Sequence, residues 1–385
     1  MAYLLRRLPL SRLLLLCGLV VAIGISVTAL AFALGTGPTP PPKPLAEAVH
    51  DALTGASGNQ IQGVSANVQL TDHLLEGANL TSGNAAGQIT SSPLVTGGSG
   101  RLWISKDGHV RLELQSEKGD TQVLYDGHTV SIYDASSDTL YRYTPPTHEG
   151  STIVEPGGQL GVAQPEIQGT GSDQHEVPSV AKIEEAISRL GQHANVSGAT
   201  PTDIAGQAAY TVHVSPKETG SLLGAGELSW DAANGVPLRA AIYSSTSSSP
   251  ALELAATSIS YGTVEASVFE FTPPTNAKVE EVTFPQKHGS EAGQSTQGDE
   301  HPHVTTEGRG LSTIAVLESK AETGAKQSTE AALPEGLQKV KINGIEVAEL
   351  PTELGTLLSF ERSGVRYLLA GAVSPTAVEA VAKGL

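Results

Sequence analysis

Between residues 101 and 143 the chain alternates apolar and polar side chains with period two, interrupted at short intervals by turn clusters. Val110, Leu112 and Leu114 fall on one side of their segment; Arg111, Glu113 and Gln115 fall on the other, the signature of a strand with one covered face. Lys106-Asp107-Gly108, Lys118-Gly119-Asp120 and Asp126-Gly127 supply the turns, because a tight hairpin needs positive φ, which Gly and Asp tolerate. Five strands in series, each turning back on the last, predict an antiparallel meander.

The same alternation returns further on. Residues 61–70 read as a strand, 204–215 as another with Tyr210, Val212 and Val214 on one face, and 226–232 and 236–246 as a hairpin around Asn234-Gly235. Segments 251–261 and 268–272 complete this second series, and both series end in Thr-Pro-Pro, at Thr144 and Thr272. Two helices are predicted by a 3.6-residue stripe. One covers 45–54, with Leu45, Val49, Ala52 and Leu53 on one face; the other covers 178–191, with Val180, Ile183, Ile187 and Leu190 between a Ser179 cap and Gly191. Segments 76–99 and 147–177 lack any period and read as long loops. Residues 286–308 are polar and Gly/Ser-rich, as a linker is, and 309–385 read as a small α+β unit closed by a helix at 375–383. The fold class expected is α+β.

The N-terminus departs from this pattern. Leu13 to Leu34 carries no charge and as a helix would span about 33 Å, close to a bilayer core. Arg6, Arg7 and Arg12 precede it, so the positive-inside rule places the chain beyond Leu34 outside the cytoplasm. Its length favours an uncleaved anchor, giving a single-pass membrane protein; Ala31-Phe32-Ala33 fits a cleaved signal peptide, giving a secreted or periplasmic one. On either reading 1–37 is the targeting segment, 38–44 a Pro-rich spacer, and 45–285 the main β domain. The chain's one cysteine, Cys17, lies in the apolar run, so no disulfide or thiolate site is expected beyond it. A net charge of −17 without Lys/Arg clusters outside the N-terminus speaks against a nucleic-acid partner.

No catalytic signature stands in the chain. Nucleophile elbows, phosphate loops and HExxH are absent. Asp299-Glu300-His301-Pro302-His303 has metal-ligand chemistry but sits in the linker without a further spaced ligand, so no metal or cofactor is expected. Glu184 and Glu185 are adjacent on a helix and do not face each other. His73, His109, His128 and His213 are scattered over separate segments. Trp103 and Trp230, one in each β series, suit sheet packing first and a ligand wall second.

Taken together, Arg111–Leu114 (RLEL), Val123–Tyr133 (VLYDGHTVSIY), Gly206–Val212 (GQAAYTV), Val236–Ala240 (VPLRA) and Phe269–Pro274 (FEFTPP), following an early helix, resemble the LolA-like superfamily. That is the lipoprotein-carrier fold shared with RseB-type sigma-factor regulators and mycobacterial lipid carriers, and actinobacterial exported members are the most similar. Leu354–Phe360 and Tyr367–Val373 extend the resemblance into the tail. It implies a strongly curved antiparallel sheet, a half-barrel wrapped around a few helices, with an apolar cavity for acyl chains. Leu102, Ile104, Val110, Leu112, Leu114, Leu124, Val130 and Ile132 are the expected lining if they share one face. The function expected is non-enzymatic binding of a lipid, a lipoprotein acyl chain or a similar amphiphile. The alternative is a membrane-tethered RseB-like regulator that binds an anti-sigma factor or other membrane protein. The family's usual carriers are free periplasmic proteins or lipoproteins, whereas this chain has neither a lipobox nor a clear short signal.

Overall fold

The computed structural model describes residues 37–58, 61–76, 78, 92–145, 177–282, 303–320 and 337–385. Helix α1 (Leu45–Gly58) leads into β1 (Gly63–Asp72). A single helical turn, α2 (Pro93–Thr96), precedes the meander of β2 (Gly98–Ser105), β3 (Val110–Ser116), β4 (Gly119–Tyr125), β5 (Val130–Asp134) and β6 (Thr139–Tyr143). After α3 (Val180–His193) come β7 (Ala194–Val196), β8 (Thr200–Ile204), β9 (Gln207–Pro216), β10 (Leu223–Asp231), β11 (Pro237–Ser244), β12 (Pro250–Tyr261) and β13 (Lys278–Glu281).

These strands form one curved, unclosed sheet of 13 strands in the order β13-β6-β5-β4-β3-β2-β1-β12-β11-β10-β9-β7, with β8 paired on β9. Every pairing is antiparallel except β13 on β6. The seam is β1 against β12, running from Val64 opposite Tyr261 to Asp72 opposite Leu252, with a register shift at Asn67/Val68. The protein is mostly β, so the α+β class expected is corrected, while the curved sheet accompanied by few helices is as expected.

One sheet face carries α1 and α3. Ala48 and Ala52 of α1 are buried with Tyr210, Val212, Val214, Leu228 and Trp230 of β9 and β10, and Leu190 of α3 packs on the same cluster. Small alanines let α1 lie close to the sheet. Gly235 answers this approach: its φ is +71°, and a Cβ there would collide with the Ala52 carbonyl. Trp230 is 1% exposed, with Tyr210 at a ring separation of 6.1 Å, so packing is its role. The spacer joins this core. The Tyr210 hydroxyl donates to the Pro41 carbonyl at 2.6 Å, and Lys43 pairs with Asp51 of α1.

Two predicted strands take different forms. The segment 204–215 is split by a hairpin turn at Ala205-Gly206, with φ of +56° and +75°. Residues 268–272 pair with no strand; a 3₁₀ turn at Ala266–Phe269 leads into an extended strap that crosses the meander before joining the sheet edge as β13. Among the described residues no helix is long and apolar enough to cross a membrane. The run 13–34 lies outside them, as does 147–176.

A second antiparallel sheet has the order β14-β15-β19-β18-β17-β16. Its strands are β14 (His303–Glu307), β15 (Ile314–Lys320), β16 (Gln338–Ile342), β17 (Ile345–Thr352), β18 (Gly355–Arg362) and β19 (Val365–Gly371), closed by α4 (Pro375–Gly384). β14 falls within the range read as linker, because Val304, Thr305 and Thr306 pair with β15. Val316, Val347, Leu358, Leu369 and Val378 form its core. The two sheets meet through backbone groups: Leu222 N–H donates to the Ala372 carbonyl at 2.7 Å, and Glu353 N–H to the Leu74 carbonyl at 2.9 Å.

Glu349 lies on the helix-bearing side of this small sheet, 3% exposed, opposite Leu358, with Oε1 lacking a hydrogen-bond partner. Burial, and then the Glu379 charge, hold its carboxyl above the usual value near 4.5. The folded chain thus binds this proton more tightly than the unfolded chain, and the stability this confers falls as pH rises through the raised value. Glu349→Gln removes the penalty. The variant should melt higher than the parent at pH 7, with a smaller difference at pH 4, in paired thermal melts.

Candidate functional site

Cross-strand partners share a sheet face, so the registers decide which expected lining residues come together. Ile104 pairs with Val110, Leu102 with Leu112, Leu112 with Val123, Val123 with Ile132, and Tyr125 with Val130. Seven of the eight expected residues therefore lie on one face, the face that also carries α1 and α3. Leu124 does not. It stands opposite Arg111 and Ser131, on the other face, because the β3–β4 turn joins Ser116 to Gly119 and fixes the pairing one residue away from the expected alignment.

The seven differ in burial. Leu114 is 1% exposed and packs with Ala66, Val68 and Leu70 of β1 and Leu94 of α2. Ile104 is buried with Val64 and Val236. These two belong to the core. Leu102, Val110, Leu112, Val130 and Ile132 remain half-buried, as do their neighbours Val123 and Tyr125. Helices α1 and α3 fill the face at β9 and β10, and α2 covers the end near Leu114 and Thr121, where Ser92 and Thr121 hydroxyls lie 3.2 Å apart. Among the described residues, what is left across β2 to β5 is a continuous apolar wall, edged by Tyr141 opposite Ile132 and Tyr143 opposite Val130. Sequence reasoning missed Val123, although its alternation with Leu124 carried the signal.

The opposite face is built differently. Arg111, Leu124, Ser131, Arg142 and Glu281 form one row across β3, β4, β5, β6 and β13. The strap lies over it. Phe269 packs on His109 and Phe271 on Tyr133, with ring separations of 5.7 and 5.4 Å. Arg111 fastens the strap: Nη1 donates to the Val268 carbonyl at 2.7 Å, and Nη2 meets Glu113 at 2.6 Å and Gln122 Oε1 at 3.0 Å. Between strap and sheet is a cleft of about 470 Å³ lined by Leu124, Asp126, Thr129, Ser131, Leu140, Arg142, Thr144, Phe269, Phe271, Pro273 and Glu281. Trp103, opposite Arg111, is half-buried on this same face.

The other candidates stay apart. His213 Nε2 lies 2.9 Å from Glu227, which is also paired with Arg239; burial, and then the Arg239 charge, push the imidazole below its usual value. His73 pairs with Glu76, while His109 and His128 flank the strap and the β4–β5 turn. Glu185 pairs with Arg189 along α3. Among the described residues no group of three or more His, Cys, Asp or Glu side chains could hold a metal; Asp299, Glu300 and His301 lie outside them.

No protein-family model matches the chain, and no curated protein does. Solved structures do. The MucA/MucB complex of Pseudomonas aeruginosa matches at 14% identity and a TM-score of 0.42, covering 87% of this chain and 97% of that one. An uncharacterized conserved protein from Thermus thermophilus matches at 11% identity and a TM-score of 0.34, over 61% and 99%. A structure described as a putative outer membrane lipoprotein-sorting protein domain from Vibrio parahaemolyticus matches at 11% identity and a TM-score of 0.18, over 58% and 95%. At these values the properties of the site rest on this chain's own geometry.

Arg111 ties the strap's backbone to the sheet row beneath it. Arg111→Met keeps the stem and removes the donors, which should cost about 1–3 kcal/mol in denaturant unfolding. Amide exchange should accelerate across 266–273 and stay unchanged at β9–β10.

Proposed function

We propose that this chain is a non-enzymatic, extracytoplasmic binding protein whose apolar wall takes an acyl chain of a lipid, a lipoprotein or a similar amphiphile. The observation that carries this reading is the division of the helix-bearing face. The β9–β10 half is filled by helices, whereas Leu102, Val110, Leu112, Val123, Val130 and Ile132 form an unbroken apolar surface that is only half-covered. Burying ten methylenes against such a wall contributes about 8 kcal/mol gross, of the order needed to offset the cost of association. No nucleophile or base is needed for this, and affinity is set by contact area. The tyrosines at the edge, Tyr141 and Tyr143, provide polar ends beside the acyl path. The apolar run 13–34 would hold the protein at the membrane from which such a ligand comes.

A second reading has one feature in its favour. The small sheet is fixed to the main sheet by backbone hydrogen bonds at Ala372 and Leu74, a two-part layout suited to a tethered regulator that meets an anti-sigma factor or another membrane protein. The two readings are compatible, since ligand occupancy on the wall could set partner binding.

Val123→Lys and Ile132→Lys place charge in the middle of the wall at half-exposed positions. Each should weaken binding of a fluorescent fatty-acid probe at least tenfold, with the melting temperature little changed. Lys182→Ala on the exposed side of α3 should leave it unaltered. Equal probe binding by all three variants would overturn the proposal.

A further inference from the structure

The strap-covered cleft lies on the face opposite the acyl wall, and its chemistry differs. Its walls are mostly polar, which disfavours an acyl chain, and its volume of about 470 Å³ is that of a small-ligand site. Arg142 is its centre. The side chain sits directly across from Ser131 on β5 and from Glu281 on β13. Its nearest carboxylate contact, Nη1 to Glu281, is 3.9 Å, beyond hydrogen-bond range. Among the described residues the Arg142 fork therefore has no hydrogen-bond acceptor, and the Glu281 carboxylate has no donor. Arg presents up to five donors in a planar fork, and with the Arg142 side chain 43% exposed these face the open side of the cleft, where a ligand would take the place of water.

The charges narrow the ligand. An anion would meet Arg142 but also Glu281 and Asp126, whose carboxyl is kept ionised by the Thr129 and His128 backbone N–H groups. A cation would meet Arg142. Both signs of net charge are thus opposed, whereas a neutral molecule rich in hydroxyls can accept from Arg142 and donate to Glu281 at once. Ser131 and the Thr129–Thr144 pair, whose hydroxyls are 3.3 Å apart, add groups that both donate and accept. Phe271 and Pro273 of the strap form an apolar side against which the C–H face of a sugar ring can lie. A peptide is disfavoured because the floor is a sheet face, already hydrogen-bonded, and offers no ladder.

We infer that this cleft is a saccharide site, binding a neutral mono- to trisaccharide between the strap and the Ser131–Arg142 row. It is independent of the acyl wall. The test is saturation-transfer NMR on the full chain in detergent, using neutral trisaccharides built from glucose, mannose, galactose or N-acetylglucosamine, with acetate, inorganic phosphate, spermidine and a hexapeptide as controls. At least one trisaccharide should bind. Arg142→Ala and Ser131→Ala should each weaken it at least tenfold, and Arg142→Lys, which keeps the charge but loses the fork, should weaken it similarly. Fatty-acid probe binding should not change in these variants, which separates failure here from failure of the acyl reading. Absence of any saccharide signal, saccharide binding unaltered by all three variants, or tighter binding of any control would overturn the inference.

Discussion

The pairing of β1 with β12 is the constraint on which the architecture depends. These strands are about 190 residues apart, yet Val64 to Asp72 align with Tyr261 to Leu252. Each half of the sheet is built from near neighbours: β2 to β6 are a local meander, and β9 to β12 are successive hairpins. Only the seam makes them one surface. It brings the wall of the first half and the helix-filled core of the second onto a common face. The seam is also braced at one end. Tyr261 donates to Asp231 at 2.5 Å, and Asp231 accepts from Asn234 and Ala233 in the β10–β11 turn. Burial, and then the hydrogen bond to Asp231, push the Tyr261 hydroxyl upward, so it remains a donor throughout the ordinary pH range.

From that seam the two faces acquire separate characters through register alone. The period-two alternation sends Val110, Leu112, Val123, Val130 and Ile132 to one side and Arg111, Leu124, Ser131 and Arg142 to the other. The first side is apolar and half-covered. The second would expose charges and a buried-type leucine together, and the strap resolves this by covering Leu124, Leu140 and Tyr133 while Arg111 holds its carbonyls. A one-residue slip in any of these strands would exchange the two surfaces, so the apolar wall and the polar cleft depend on the same registers.

Much of this was legible in the residues. The meander, the Asn234-Gly235 hairpin and helices α1, α3 and α4 follow from periodicity and turn chemistry, and the face of Val110, Leu112 and Leu114 is where the alternation puts it. The misplacement of Leu124 has a specific cause: Lys118-Gly119-Asp120 marks a turn without fixing its centre, and the true pairing of Ser116 with Gly119 inverts the expected side of β4. The strap was hidden for a related reason. Val268 to Thr272 alternates as a strand does, but the alternation serves to point Phe269 and Phe271 at a sheet face, and no ladder forms. Ala205, a non-glycine residue at positive φ, concealed the β8–β9 turn. The charged row ending in Glu281 joins residues 170 positions apart through a parallel edge strand, which no local pattern announces.

On the proposed reading an acyl chain lies along β2 to β5 and not among the helices at β9 and β10. It is tested most directly by photocrosslinking the full chain with a diazirine-bearing fatty acid, with the labelled peptides then located by mass spectrometry. Adducts are expected on peptides containing Leu102, Leu112, Val123 and Ile132, competed away by unlabelled fatty acid. Adducts confined to residues 207–231, or labelling that unlabelled fatty acid leaves undiminished, would contradict it.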